Sequence, residues 1–442
     1  MDGGTGMTGL PDAFTERMKG QLGTEELALF MAALEECPVR GIRMNPFKPF
    51  TFRDDYITGG KIPWTSDGYY LSNDSKAGAT LYHEAGAFYL QEPAAMLPAE
   101  ILDPKPGERI LDLCAAPGGK STQIGLKMHG EGVLVCNEPI LKRTAVLSRN
   151  IERIGIPNAV VTCSYPQDLP TGWNGVFDGV LADAPCSGEG MFRRDPETRQ
   201  EWSPERAAGC AERQREILRE AARFVRPGGR LVYSTCTYNP EENERMVSWF
   251  LENHPDFDLE SFCLPEVDGK SGMFLCLPHR MKGEGQFAAK LRRKGENRPG
   301  KLMVPFPEPG KDSVNLLRKT ITGIPEANGL FGNLLIRAPE SPDLRGVKVL
   351  RAGLHLAEIR GKNVFPDHAA ALSIFSDGIP VAEISEKEAA DYLRGQEISG
   401  EGKGWLLIAA DGLILGWGKG SEGRIRNHYP KGLRKNHILI SD

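Results

Sequence analysis

The chain has 442 residues, with 54 Lys and Arg against 59 Asp and Glu for a net charge of −5, and is 40% hydrophobic and 26% charged. That length exceeds one ordinary core and predicts about two to four domains. The charge balance excludes a global polyanion-binding surface, so any nucleic-acid contact must come from local basic patches. The N-terminal stretch "MDGGTGMTGLPDAFTERMKG" lacks both a basic segment and an apolar one, and no run approaches the ~18 apolar residues a membrane span needs. Secretion and membrane spanning are therefore not expected. Nine cysteines, an odd number with no CxxC pair, support neither a zinc ribbon nor a thioredoxin-type motif, so no metal is expected and a reducing cytoplasm is the simplest home.

In chain order, "TEELALFMAALEEC" predicts a helix, followed by the Pro-, aromatic- and Arg-containing "VRGIRMNPFKPFTFRDDY". From 107 to about 250 short apolar runs alternate with helical patterns: "ERILDLCA", "GVLVCNE", "NAVVTCS", "FDGVLADAP" and "GRLVYSTC" read as strands. "SPERAAGCAERQREILREAARFV" reads as a helix capped by Ser203 with Pro204 at its first position. This alternation predicts α/β architecture with a mostly parallel sheet, helices on both faces and a ligand crevice at the carboxyl ends of the strands. Residues 291–320 carry eight basic against three acidic side chains among Pro and Gly, and read as a basic linker. A strand-rich unit follows, with "VKVLRAGLHLAEI" and "GWLLIAADGLILGWGKG", and ends in the basic "GRIRNHYPKGLRKNH". The resulting division is 1–100, 101–293, a linker at 294–334 and a C-terminal unit at 335–442.

Three stretches carry chemistry. "LDLCAAPGGKSTQ" is a strand ending in an acid, then a Gly-Gly turn opening a helix. A dinucleotide fold would need GxGxxG, and a P-loop would need glycine where Cys114 stands. What remains is a small-residue turn bringing backbone close to a nucleoside-like ligand without polyphosphate, and S-adenosylmethionine fits. Glu138, ending the second strand, is placed to accept from both ribose hydroxyls. "LADAPCSGEGMFRRDPE" ends the fourth strand with Asp183, Pro185 and Cys186. Its thiol stands where amino-methylating enzymes favour an aromatic residue, which points away from amine chemistry. "YSTCTYNPEENE" places Cys236 between a strand and a helix start, with Asn239 as cap, Pro240 first and Glu242 three residues after the cap, a predicted capping box.

A lone cysteine is most often a small buried hydrophobe. Two on loops after neighbouring strands suggest a shared task. Carbon 5 of a pyrimidine is a poor nucleophile, and a thiolate adding to carbon 6 converts the ring into an enamine whose carbon 5 attacks a sulfonium methyl group. Asp183 suits the role of hydrogen-bonding ring nitrogen 3. Phe192, Arg193 and Arg194 are candidates for holding the target's neighbours, since a base so treated must leave its stack. Spacing alone does not decide which thiol attacks.

"DLCAAPGGKSTQ", "DAPCSGEGMFRRDP" and "YSTCTYNPEENE", in that order, resemble the Sun-type RNA cytosine-C5 methyltransferases, specifically their bacterial RsmF-like rRNA subgroup. "YHEAGAFYLQEPAAMLPAEIL" and "PHRMKGEGQFAAKL" are also similar to family segments, and the tail resembles that subgroup's small α+β, PUA-like RNA-binding domain. The resemblance implies a Rossmann-like S-adenosylmethionine-dependent methyltransferase domain flanked by RNA-binding regions. It implies Cys236 as the nucleophile and Cys186 in product release, whereas DNA cytosine methyltransferases attack with the Pro-Cys thiol. Cofactor contacts map by resemblance to Cys114, Ala115, Ala116, Pro117, Gly118, Gly119, Lys120, Glu138 and Asp183. An acid after the third strand meets adenine in many relatives. Here the stretch reads "VTCSYPQDL", so Asp168 stands displaced from that place. The expected partner is RNA, small-subunit (16S) rRNA ahead of tRNA on the strength of the tail. A non-catalytic RNA-binding assembly factor would need neither thiol nor Asp183.

Overall fold

The computed structural model describes residues 9–50, 57–296, 301–375, 378–435 and 438–439. Parts of the amino-terminal stretch, of the segment after Pro49, of the basic linker and of the final "RKNH" therefore lie outside the described residues. The organising element is a nine-stranded sheet. Its strands are β1 (Arg109–Asp112), β2 (Val133–Asn137), β3 (Ala159–Thr162), β4 (Phe177–Asp183), β5 (Val225–Thr235), β6 (Phe257–Leu259), β7 (Met273–Cys276), β8 (Gln286–Arg293) and β9 (Val349–Ala352). The order is β6-β8-β5-β4-β1-β2-β3-β9, with β7 paired to β8. Strands β1 to β5 are parallel; β8 runs antiparallel against β5, and β9 antiparallel against β3.

Period-2 side-chain alternation divides each strand between two cores. On one face Ile110, Leu134, Val161, Leu181 and Ala288 pack under helices Gly119–Lys127 and Leu141–Ile154. On the other, Leu111, Val135, Val180, Leu231 and Phe287 meet Ile217, Leu218 and Ala221 of helix Pro204–Phe224 and Val247 and Phe250 of helix Glu244–Asn253. Ser203 caps the long helix as its sequence predicts, its side chain accepting from the Arg206 N–H. The chain leaves β1 in one direction through β2 and β3 and returns to β4 on the other side of β1. That reversal opens a crevice between the ends of β1 and β4.

Amino-terminal to this sheet, helix Asp12–Leu34, broken at Gly23, precedes a four-stranded antiparallel sheet ordered Ile57–Lys61, Gly68–Leu71, Arg40–Met44, Phe88–Leu90. Carboxy-terminal to it lie a four-stranded sheet within 329–366 and a five-stranded one within 381–427. The two ends of the chain share a core: Ile42, Leu71 and Phe88 pack with Leu393, Leu406 and Ile408.

Two features differ from the sequence reading. The 294–334 stretch is not simply a linker, because Lys311–Thr320 forms a helix that buries Leu317 and Gly329–Phe331 pairs with Leu334–Arg337. Basic composition there reflects the solvated face of a folded segment. The first part of "VKVLRAGLHLAEI" joins the catalytic sheet as β9, so the C-terminal unit is woven into the methyltransferase domain.

Candidate active site

Asp112 ends β1 nearly fully buried, at 1% exposure. Its Oδ2 accepts from Ser121 Oγ at 2.6 Å, while Oδ1 is buried with no partner. Burial pushes its pKa up to about 7, against the lowering effect of the Ser121 hydroxyl, with nearby Asp183 raising it further. The turn after it ends at Gly118, whose φ of 111° precedes helix Gly119–Lys127. A side chain there would be strained and would press on Leu147, with a Cβ only 3.1 Å from its Cδ1. Glu138 follows β2, 2% exposed, its Oε1 accepting from the Ile140 N–H at 3.0 Å.

Two cavities meet at Cys114. One, of about 530 Å³, is lined by Glu138, Ile140, Arg143, Tyr165, Gln167 and Pro185 among others. The other, of about 310 Å³, is lined by Asp112, Ala115, Ala116, Pro117, Gly119, Lys120, Asp183 and Cys236 among others. Together they suit S-adenosylmethionine. Glu138 faces the first cavity with carboxylate oxygens suited to ribose hydroxyls, and the orphaned Asp112 Oδ1 offers an acceptor for an ammonium group. Gly118 itself is not a lining residue; it shapes the turn.

Lys120 Nζ lies 2.7 Å from Asp183 Oδ2, and Ser234 Oγ donates to Asp183 Oδ1 at 2.7 Å. Burial works against the Lys120 charge, but Asp183 more than compensates and holds the ammonium above the ordinary lysine pKa. Cys186 and Cys236 then close the site, with sulfurs 2.8 Å apart and the Cys236 N–H donating to Cys186 Sγ at 3.2 Å. Its hydrogen bond to Cys236, then burial, pushes the Cys186 thiol well above the usual range. The structure thus brings Asp183, Cys186, Cys236 and Lys120 to the carboxyl edge of β4 and β5.

The predicted capping box does not form. The helix starts at Glu244, and Asn239 Oδ1 instead accepts from the Glu241 N–H within a turn. Glu242 points inward with no exposure, accepting from the Ser187 N–H at 2.9 Å, from Ser187 Oγ and from Gln214 Nε2 at 2.9 Å. Gln214 also donates to Pro185 O at 3.0 Å. Glu242 is therefore a clamp on the Pro185–Ser187 turn, and serves the loop rather than the helix by meeting the buried N–H of Ser187.

Phe192 and Arg193 are not free to hold RNA. Phe192 is fully buried against Phe14, and Arg193 is spent on Glu284 at 2.9 Å and on the Gly283 and Ala33 carbonyls. Arg194 alone of the three is exposed, at the rim of the smaller cavity. Asp168 is exposed on a short turn and does not line the larger cavity; its neighbours Tyr165, Pro166 and Gln167 do. The turn Pro166–Asp168 thus brings Pro166 and Gln167, and not Asp168, to the wall of that cavity.

Sequence reasoning missed contributions from the amino-terminal module. Tyr89, Gln91 and Glu92 line the smaller cavity, and the buried Arg43 ties that module to the cofactor helix by donating to Thr122 Oγ1 at 2.7 Å and to the Gly119 carbonyl at 3.2 Å. Arg17 pairs with Glu189, just beyond the Cys186 turn, at 2.8 Å. Only the aromatic and Arg content of that region hinted at this. Among the described residues no cluster of three or more His, Cys, Asp or Glu side chains could hold a metal, and no helix is long and apolar enough to cross a membrane.

The β1/β4 reversal, the Gly-Gly turn and the acid ending β2 define a Rossmann-like S-adenosylmethionine-dependent methyltransferase. Family models match the chain in four successive parts. They are the N-terminal domain of 16S rRNA methyltransferase RsmF at 10–93, 16S rRNA methyltransferase RsmB/F at 99–292, the RsmF first C-terminal domain at 321–374 and the methyltransferase RsmF PUA domain at 380–435. Ribosomal RNA small subunit methyltransferase F of Escherichia coli K12 is 32% identical over 476 aligned positions, covering 98% of each chain. The chain belongs to this RsmF family. Among solved structures, a methyltransferase homologue from Pyrococcus horikoshii is 28% identical with a TM-score of 0.56, covering 65% of this chain and 96% of that one. NSun6 from the same organism, crystallised with SFG, shares the fold at 22% identity and a TM-score of 0.55, covering 65% of this chain and 99% of that one.

Proposed function

We propose that this protein methylates carbon 5 of cytosine in small-subunit (16S) rRNA, in the cytoplasm, with S-adenosylmethionine as methyl donor. The observation that carries the reading is the Cys186–Cys236 pair beside the Lys120–Asp183 ion pair at one strand edge. S-adenosylmethionine supplies an electrophilic methyl group when bound. The chain's own residues prepare the base. The Cys236 thiolate adds to carbon 6, forming the S–C6 bond, while Asp183 as the carboxylic acid passes its proton to ring nitrogen 3, and Lys120 and Ser234 hold the carboxylate it becomes. Carbon 5 becomes nucleophilic as the C5=C6 electron pair is released toward nitrogen 3. Once carbon 5 carries the methyl group, its proton passes to a solvent water, the C–H pair re-forms C5=C6, the S–C6 pair returns to the Cys236 sulfur and nitrogen 3 gives its proton back to Asp183. Cys186, a protonated thiol in contact with Cys236, is placed to assist that release.

RNA is held by the flanking modules in this reading, with 1–100 and 335–442 as the binding regions around a catalytic domain at 101–293. Exposed Lys419, Arg424 and Arg426 form a basic strip on the last sheet, where Lys419 and Arg426 are directly opposite. Like charges placed so cost stability unless an anion meets them. Bisulfite sequencing of rRNA and tRNA from cells lacking the gene tests the assignment. One or more 16S cytosines should lose protection, and unchanged 16S protection with a lost tRNA site would move the substrate to tRNA.

A further inference from the structure

Of the polar side chains lining the smaller cavity, two keep a buried atom without a partner: Asp112 Oδ1 and Gln286 Nε2. The first is accounted for by an ammonium group. The second is not. Gln286 is 2% exposed, and its Nε2 has no hydrogen-bond partner among the described residues. A buried amide left unpaired costs stability, so the site is built for something that completes it.

Its place in the sheet says what. Gln286 is the first residue of β8, an antiparallel strand, and so stands at the carboxyl edge of the parallel strands. Phe287 pairs with Thr235, which puts Gln286 beside Cys236. Alternation turns its side chain to the face of Ala288, the same face that holds Ala115 and Ala116 of the cofactor turn. Across that edge come the cofactor turn on β1, Asp183 on β4, Cys236 on β5 and Gln286 on β8. A pyrimidine with carbon 5 toward the cofactor turn and carbon 6 at Cys236 directs carbon 2, which is para to carbon 5, away from the cofactor and toward β8. Carbon 2 carries the exocyclic oxygen O2, an acceptor that matches the unpaired N–H.

We infer that Gln286 contacts the substrate by donating a hydrogen bond from its amide to O2 of the flipped cytosine. This rests on the cytosine-C5 reading above. When the Cys236 sulfur bonds to carbon 6, the released C5=C6 pair is shared by carbon 5, nitrogen 3 and, through carbon 2, O2. A donor at O2 therefore binds more tightly as the adduct forms than in the ground state, and its effect falls on kcat.

The test uses the full-length protein with small subunits and naked 16S rRNA from cells lacking the gene, whichever the wild type methylates. Gln286→Met keeps the volume and removes the amide. Its kcat should fall at least roughly tenfold with little change in KM for RNA. Because the lost group is unpaired in the free protein, Tm should rise by roughly 1–2 °C rather than fall. Gln286→Glu, which keeps the shape but loses the donor, should lose turnover similarly while still binding S-adenosylmethionine. Turnover within about twofold of wild type in either variant, or a Tm that falls together with activity in Gln286→Met, overturns the inference. If wild type transfers no methyl group to cytosine in either RNA, the functional reading fails first and this contact falls with it.

Discussion

Replacing Glu242 offers a direct test of how the thiol pair is held. The carboxylate accepts three hydrogen bonds in a fully buried pocket, two from Ser187 and one from Gln214. Glu242→Ala leaves the Ser187 N–H without a partner and strands one of the two Gln214 amide N–H groups, the other staying on the Pro185 carbonyl. At ~1–3 kcal/mol for each stranded group, the loss should total about 3–5 kcal/mol. Glu242→Gln is different. Its oxygen in place of Oε2 keeps the Ser187 N–H and Gln214 bonds, and its NH2 in place of Oε1 donates to the Ser187 hydroxyl, which can turn toward Thr237 at 2.8 Å. That variant should lose only about 1 kcal/mol. Urea unfolding measures both, and single-turnover methyl transfer should track them because the Cys186 turn is what loosens. Equal stability in the two variants, or an alanine variant within about 1 kcal/mol of wild type, would refute the clamp.

Other outcomes follow from the same site. Cys236→Ala should abolish methyl transfer, whereas Cys186→Ala should accumulate a covalent protein–RNA adduct on denaturing gels; a normal product yield without adduct would remove Cys186 from release. Asp112, at about 7 in the folded protein, lies above its unfolded value of roughly 4. Its contribution to stability is therefore complete below roughly pH 4 and is lost as pH rises through about 7, so Asp112→Asn should flatten that slope in thermal melts. S-adenosylmethionine affinity should rise over the same interval as the carboxylate ionises to meet the ammonium, which calorimetric titration at several pH values can check. Charge reversal at Arg424 and Arg426 should weaken RNA binding and reduce its salt dependence while leaving cofactor affinity unchanged.

The central sheet was readable because each strand is a short apolar run closed by a turn signal, with helical periodicity between. The two thiols and Asp183 were readable for the same reason, since crevice residues in such a sheet sit at strand ends. Long-range pairings were not. Glu242 has the spacing of a capping box, yet its partner is Ser187, 55 positions earlier, and local rules carry no information about such a contact. Phe192 and Arg193 look like an exposed basic loop until Phe14 and Glu284, from distant segments, cover them. Gln286 could be noticed only once β8 was seen to run antiparallel beside Cys236. The composition of β9 marks it as a strand, but nothing in it says that the strand belongs to another domain's sheet.

That last strand bears on how the molecule is made. Strand β3 is buried along all four residues, and its outer partner β9 begins at Val349, 187 positions after Thr162 (349 − 162). At ribosomal speeds of roughly 5–20 residues per second, the edge of β3 waits about 10–40 s for its partner to be synthesised. During that interval a strip of main-chain donors and acceptors is open to any other nascent strand, and its shortness is its main protection. The order of synthesis therefore requires the cofactor-binding half of the sheet to persist unfinished until the C-terminal modules emerge. Premature termination before Val349 would leave a chain with its reactive thiols in place and an unsealed edge.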